Sequence, residues 1–105
     1  MNLAEAVRRG ILKSPSWKRW LAHAAVPGIA PSCGRNYDFT TNDLAVMTAF
    51  EIGAGFGSLA LATELAREAS QKARAGVLLP IIARGEHWTL TVDLEEIVND
   101  IHTLS

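Results

Sequence analysis

Cysteine is nearly absent from this chain: Cys33 stands alone among 105 residues. A single thiol excludes an internal disulfide framework and a zinc site built on cysteines. No apolar run approaches the roughly 18 residues of a membrane span, and the first residues have no signal-peptide core. A cytoplasmic protein without membrane contact is therefore expected. Neither sign of charge dominates, because ten basic and eleven acidic side chains leave a formal net charge of −1. Internal repeats and low-complexity segments are missing as well. With 49% apolar and 20% charged residues, the composition is that of a folded globular chain. The length leaves room for one domain, or two very small ones, and excludes most multidomain enzymes.

The average charge conceals a split. Residues 1–40 hold Arg8, Arg9, Lys13, Lys18, Arg19 and Arg35 against Glu5 and Asp38, a net of +4. Residues 41–105 hold four basic and nine acidic side chains, a net of −5. A basic working surface on an acidic body is the reading this favours.

Local signals divide the chain into short elements. A first helix is expected over Leu3 to Arg9, stopped by Gly10. Ser14-Pro15 signals a second helix over Pro15 to Ala24, through a serine cap and a proline at the first helical position. Trp17, Trp20, Leu21 and Ala24 fall at helical spacing there and are expected in the core, with Lys18 and Arg19 beside them. Residues 25–40, rich in proline and glycine, suggest an extended arm or wing ending in Tyr37-Asp38-Phe39. Thr40-Thr41-Asn42-Asp43 has the form of a helix-start box. The helix it opens carries Leu44, Met47, Phe50 and Ile52 on one face, and Gly53 to Gly57 is expected to interrupt it. A fourth helix should cover Ser58 to Ala75 and end at Gly76. Val77 to Arg84 and His87 to Val92 read as strands around a Gly85-Glu86 turn, with Pro80 placing its strand at an edge. Asp93-Leu94-Glu95-Glu96 then opens a last helix with Ile97 and Ile101 on its apolar face.

One motif is tempting. Ile52-Gly53-Ala54-Gly55-Phe56-Gly57-Ser58 resembles the glycine fingerprint that cradles a dinucleotide pyrophosphate. Ser58 occupies the third glycine position, no acidic residue stands where a ribose contact belongs, and the preceding segment starts as a helix. The expected role is a joint between helices, with no cofactor. A flavin or nicotinamide enzyme stays as a minor alternative, and catalytic and metal residues are expected to be none. His87 and His102 have no ligand partners at useful spacing.

Two short helices around Gly10, a basic-aromatic second helix (Ser16-Trp17-Lys18-Arg19-Trp20), a wing (Gly34 to Thr40) and a helix opened by Asp43-Leu44 together resemble the winged helix-turn-helix head of the MerR family of transcription regulators. The likeness extends to phage and prophage proteins with such a head, and covers about half the chain. The family's arginine two residues before the wing aromatic is replaced by Tyr37, and its long dimerisation helix and effector domain have no counterpart.

The resemblance implies a winged helix-turn-helix DNA-binding head over 1–57; the residue pattern beyond it gives a helix and a hairpin-helix region over 58–105, read as the dimerisation region, so the expected fold is mainly α with a small β part. The resemblance also implies a homodimer on a palindromic double-stranded DNA site, with RNA polymerase as a further partner. The residues expected to face DNA are Arg8, Arg9, Lys13, Ser14, Ser16, Lys18, Arg19 and His23, with Arg35, Asn36 and Tyr37 from the wing. Arg19 suits guanine readout, and lysine and serine suit phosphates. Val77, Leu79, Ile81, Trp88, Leu90, Val92, Ile97 and Ile101 are the expected dimer contact, being more apolar surface than a two-stranded element covers alone. Alternatives are a packaging or recombination accessory protein (terminase small subunit or excisionase-like) and a protein-interaction module such as an antirepressor.

Overall fold

Helix-start chemistry sets where this chain becomes helical. A computed structural model describes residues 1–23, 26–29 and 37–105. Its elements are α1 (Leu3–Arg8), α2 (Trp17–Ala22), α3 (Thr41–Gly55), α4 (Leu59–Arg74), β1 (Ile81–Arg84), β2 (Thr89–Val92) and α5 (Leu94–Leu104). The described residues are mainly helical, with one two-stranded antiparallel sheet. No helix among them is long and apolar enough to cross a membrane.

The two helix-start boxes at Thr40 and Asp93 act as expected. The Thr40 hydroxyl accepts from Asp43 N–H while the Asp43 carboxylate accepts from Thr40 N–H, a reciprocal box that satisfies two orphan donors. Ser58 caps α4 through Leu61 N–H, and Asp93 caps α5 through Glu96 N–H. Gly10 and Gly76, at φ of 78° and 73°, follow α1 and α4. That left-handed geometry is cheap for glycine alone.

Several local expectations are corrected. The second helix starts at Trp17 and ends at Ala22, inside the expected Pro15 to Ala24. Ser14 does not cap it; its hydroxyl instead accepts from Ser16 N–H, which holds a turn ahead of the helix. The glycines from Gly53 do not break α3, which runs on to Gly55. A Cβ on Gly53 would lie 2.4 Å from the Ala62 backbone, so this glycine lets α3 and α4 approach closely. Strand pairing is also shorter than expected: Val77 to Pro80 and His87-Trp88 stay outside the ladder. Gly85 N–H donates to the Trp88 carbonyl, which moves the two-residue turn to Glu86-His87.

α3 is the central element. Leu44, Ala45, Val46, Met47, Ala49 and Phe50 are all buried, so it is enclosed on most sides and not along a single stripe. α4 packs along it and α5 packs elsewhere on it, while β1 lies against α4. In the hairpin, Ile81 opposite Val92 and Ala83 opposite Leu90 face inward; Ile82 and Arg84 face out. Buried residues from both sides of residue 57 belong to one core.

Candidate nucleic-acid interface

The basic α2 owes its placement to aromatic packing. Trp17 and Trp20, three residues apart, present their rings to the same side. Their ring centroids lie 5.0 Å apart, nearly perpendicular, and both meet Phe50 of α3, at 5.7 and 5.0 Å. Edge-to-face pairs of this kind add about 0.5–1.5 kcal/mol each to the burial itself. Leu21 completes the buried face, and Ile11 and Leu12 bury the turn that precedes it. As expected, the tryptophans belong to the core.

A second anchor comes from Glu51, which the sequence reading did not single out. One of its carboxylate oxygens accepts from Lys13 N–H at 2.8 Å, Ser14 N–H at 2.9 Å and the Trp17 indole N–H at 2.5 Å. A single α3 side chain thus satisfies two loop amides and the buried indole at once. The signal was present in the sequence: Glu51 is the sole charge between Leu44 and Phe56, on a helix otherwise made for the core.

These two anchors fix what faces outward. Lys18, Arg19, Ala22 and His23 are exposed, as are Arg8, Arg9 and Lys13; Ser14 and Ser16 are half-buried. Lys13, Lys18 and Arg19 form no ion pair among the described residues. Arg19 only approaches the Ser16 hydroxyl, at 3.4 Å. Arg9 is less free: it pairs with Glu5 at 2.8 Å and reaches the Leu104 carbonyl. Of the expected wing contacts, Arg35 and Asn36 lie outside the described residues. Tyr37 is exposed and packs on buried Phe39 at 5.1 Å.

The segment leading out of α2 is held by a second polar node. Arg74, near the end of α4, donates to Asp43 at 2.9 Å, to the Gly28 carbonyl at 3.0 Å and to the Ser70 hydroxyl at 3.1 Å. Burial pushes the Asp43 carboxyl up, but the hydrogen bonds from Arg74 and from the Thr40 backbone and hydroxyl outweigh it. The net effect holds Asp43 below its ordinary value.

A groove of about 900 Å³ runs beside this surface. One wall is the turn from Gly10 to Ser16, the floor comes from α3 and Trp20, and the far wall is α5 with Asp93, Glu96 and Asp100. The basic surface therefore ends at an acidic wall.

The expected dimer residues divide in two. Ile81, Val92, Ile97 and Ile101 are buried within this chain's own core and so are not offered to another copy, which corrects that part of the expectation. Leu90 is half-buried. Val77, Leu79 and Trp88 remain exposed, joined by Ile82. The glycine motif has a packing role: Ile52 to Gly55 form the end of α3, where a pyrophosphate cradle needs a preceding strand. Among the described residues, no group of three His, Cys, Asp or Glu side chains could hold a metal. No family model, curated protein or solved structure matches the chain.

Proposed function

We propose that this protein is a sequence-specific DNA-binding regulator of transcription, with residues 1–57 acting as a MerR-like winged helix-turn-helix head. The observation that carries the reading is α2 itself. Its aromatic face is locked onto Phe50 and its leading turn onto Glu51, while Lys18 and Arg19 stand exposed and unpaired among the described residues. A short helix held rigidly with cations outward is what major-groove entry requires. Lys13, Ser14 and Ser16 at its leading end suit phosphate contacts that set the register. The proposed regulator acts in the cytoplasm and is of phage or mobile-element type.

Two copies reading a palindrome complete the proposal. The exposed apolar side chains Val77, Leu79, Ile82 and Trp88 support self-association through the hairpin and the strap before it.

Salt titration of binding to selected DNA tests the reading. With about five phosphates neutralised, log affinity should fall against log salt with a slope of about −4 to −5. Absence of binding to any duplex in a randomised pool, or binding that ignores salt, overturns it.

A further inference from the structure

We propose that the groove between α5 and the turn before α2 is a docking site for a basic amphipathic helix of a protein partner. Charge decides the sign of the occupant. Asp93, Glu96 and Asp100 line one wall, and none of them forms an ion pair among the described residues. Glu96 and Asp100 are four residues apart on a helix, so their carboxylates form a ridge along one face. The opposite wall has one cation, Lys13, and Glu51 in the floor is already engaged by three N–H groups. The unbalanced charge is negative. Nucleic acid and acidic peptides are repelled from it, whereas lysine or arginine side chains at matching i,i+4 spacing are attracted.

Shape and polarity decide the rest. Apolar side chains share the lining: half-buried Ile52 and the edges of Trp20 and Ile97, each 8% exposed. An occupant that meets both kinds of side chain needs an apolar stripe flanked by cations, which is the face of a basic amphipathic helix. The acidic wall is an 11-residue helix, about 16 Å long at 1.5 Å per residue, and matches about three turns of a partner helix. Lys18 and Arg19 lie outside the lining, whereas Lys13, Ser14 and Ser16 belong to it, so a helix seated in the groove competes with the phosphate contacts proposed for those three and leaves Lys18 and Arg19 open.

The test uses the full chain and a fluorescein-labelled helical peptide of about 15 residues, built of leucine and lysine with leucines at i, i+3, i+4. A leucine–glutamate peptide of the same pattern is the control. Saturable anisotropy change is expected with the lysine peptide alone, with amide shift changes centred on Thr48, Ile52, Ile97 and Ile101. The double substitution Glu96→Gln with Asp100→Asn should weaken binding about five- to tenfold, as expected for two partly exposed charge contacts. Glu64→Gln with Glu95→Gln, which neutralises two exposed acids outside the groove, should leave affinity unchanged. The proposal is overturned by equal binding of both peptides, by equal effects of the two double variants, or by shift changes away from the groove. Concentration-dependent self-association that the groove double variant abolishes also overturns it, since the occupant is then a second copy.

Discussion

Glu51 accepts the indole N–H of Trp17 across the junction between α3 and α2, at 2.5 Å. The same carboxylate holds the amides of Lys13 and Ser14, so one α3 residue sets both the position of α2 and the path of the chain into it. Glu51→Ala should leave the Trp17 indole N–H and two amides without their acceptor, at a cost of about 1–3 kcal/mol. Glu51→Gln keeps one carbonyl acceptor and should cost less. Urea unfolding followed by tryptophan emission checks both; an alanine variant as stable as the parent removes Glu51 from its anchoring role.

The Asp43–Arg74 pair makes a pH-dependent contribution to stability. Asp43 is held below its ordinary carboxylate value, so folding favours its charged form. The contribution is present above the unfolded-state value of about 3.9 and is lost as pH falls through the lower folded-state value. Asp43→Asn should flatten the acid limb of the stability profile while leaving its slope near neutrality unchanged. Arg74→Ala should cost about 1 kcal/mol, at the low end for a charged hydrogen bond because Arg74 is 41% exposed and screened by water. Thermal melts between pH 2.5 and 7 read both effects.

Gly53 and Gly55 look alike in sequence and should behave oppositely. A Cβ on Gly53 collides with the Ala62 backbone, whereas one on Gly55 meets nothing within 4 Å. Gly53→Ala must therefore push α3 and α4 apart, costing about 1–3 kcal/mol. Gly55→Ala sits in a helix without a positive φ and should be neutral or stabilising by up to about 1 kcal/mol. Chemical denaturation of the two variants side by side separates the packing role from a merely flexible joint; equal effects would contradict it.

Residues whose partners are three or four positions away were legible in the sequence. Thr40 with Asp43, Ser58, Asp93, Gly10 and Gly76 all act through local chemistry, and the helices end or begin there. Trp17, Trp20 and Leu21 were legible too, because burial follows from helical spacing. Glu51 stands out as a lone charge on an apolar helix, but its partners and the Asp43 partner of Arg74 were not legible, since they lie more than 30 residues away and spacing along the chain has no bearing on such contacts. The later start of α2 has a local cause: the Ser14 hydroxyl accepts from Ser16 N–H in a turn ahead of the helix, while Glu51 holds the amides of Lys13 and Ser14. The dimer residues were misread as well. Alternation along the strands marks Ile81 and Val92 as apolar, but only the packed fold shows that their own chain covers them.

Self-association, if it proceeds through the hairpin, depends on residues the monomer leaves exposed. Leu79 is 61% and Trp88 50% exposed, so charged replacements there should not disturb the core; Trp88 does lie over Gly85, which makes Leu79 the cleaner site. Leu79→Asp should shift a dimer to a monomer by sedimentation equilibrium with the melting temperature of the monomer preserved. A mass that is unchanged by Leu79→Asp and by Ile82→Asp moves the contact elsewhere.

Lys18 and Arg19 are neighbours on α2 with different expected roles on DNA. Both are exposed and neither forms an ion pair among the described residues, so either alanine variant should keep stability within about 0.5 kcal/mol of the parent. Lys18 is a flexible point charge suited to a phosphate oxygen; Lys18→Ala should weaken all sequences alike and reduce the salt slope by about 1. Arg19 carries a planar fork able to meet a guanine edge with two parallel bonds, and nothing stronger than a 3.4 Å approach to Ser16 holds it back. Arg19→Ala should cost about 1–3 kcal/mol on the preferred site and much less on random DNA, narrowing the ratio between them. Selection from a randomised duplex pool with each variant distinguishes the two roles. Equal loss across all sequences for Arg19→Ala would make it a second phosphate contact and leave base readout to another element.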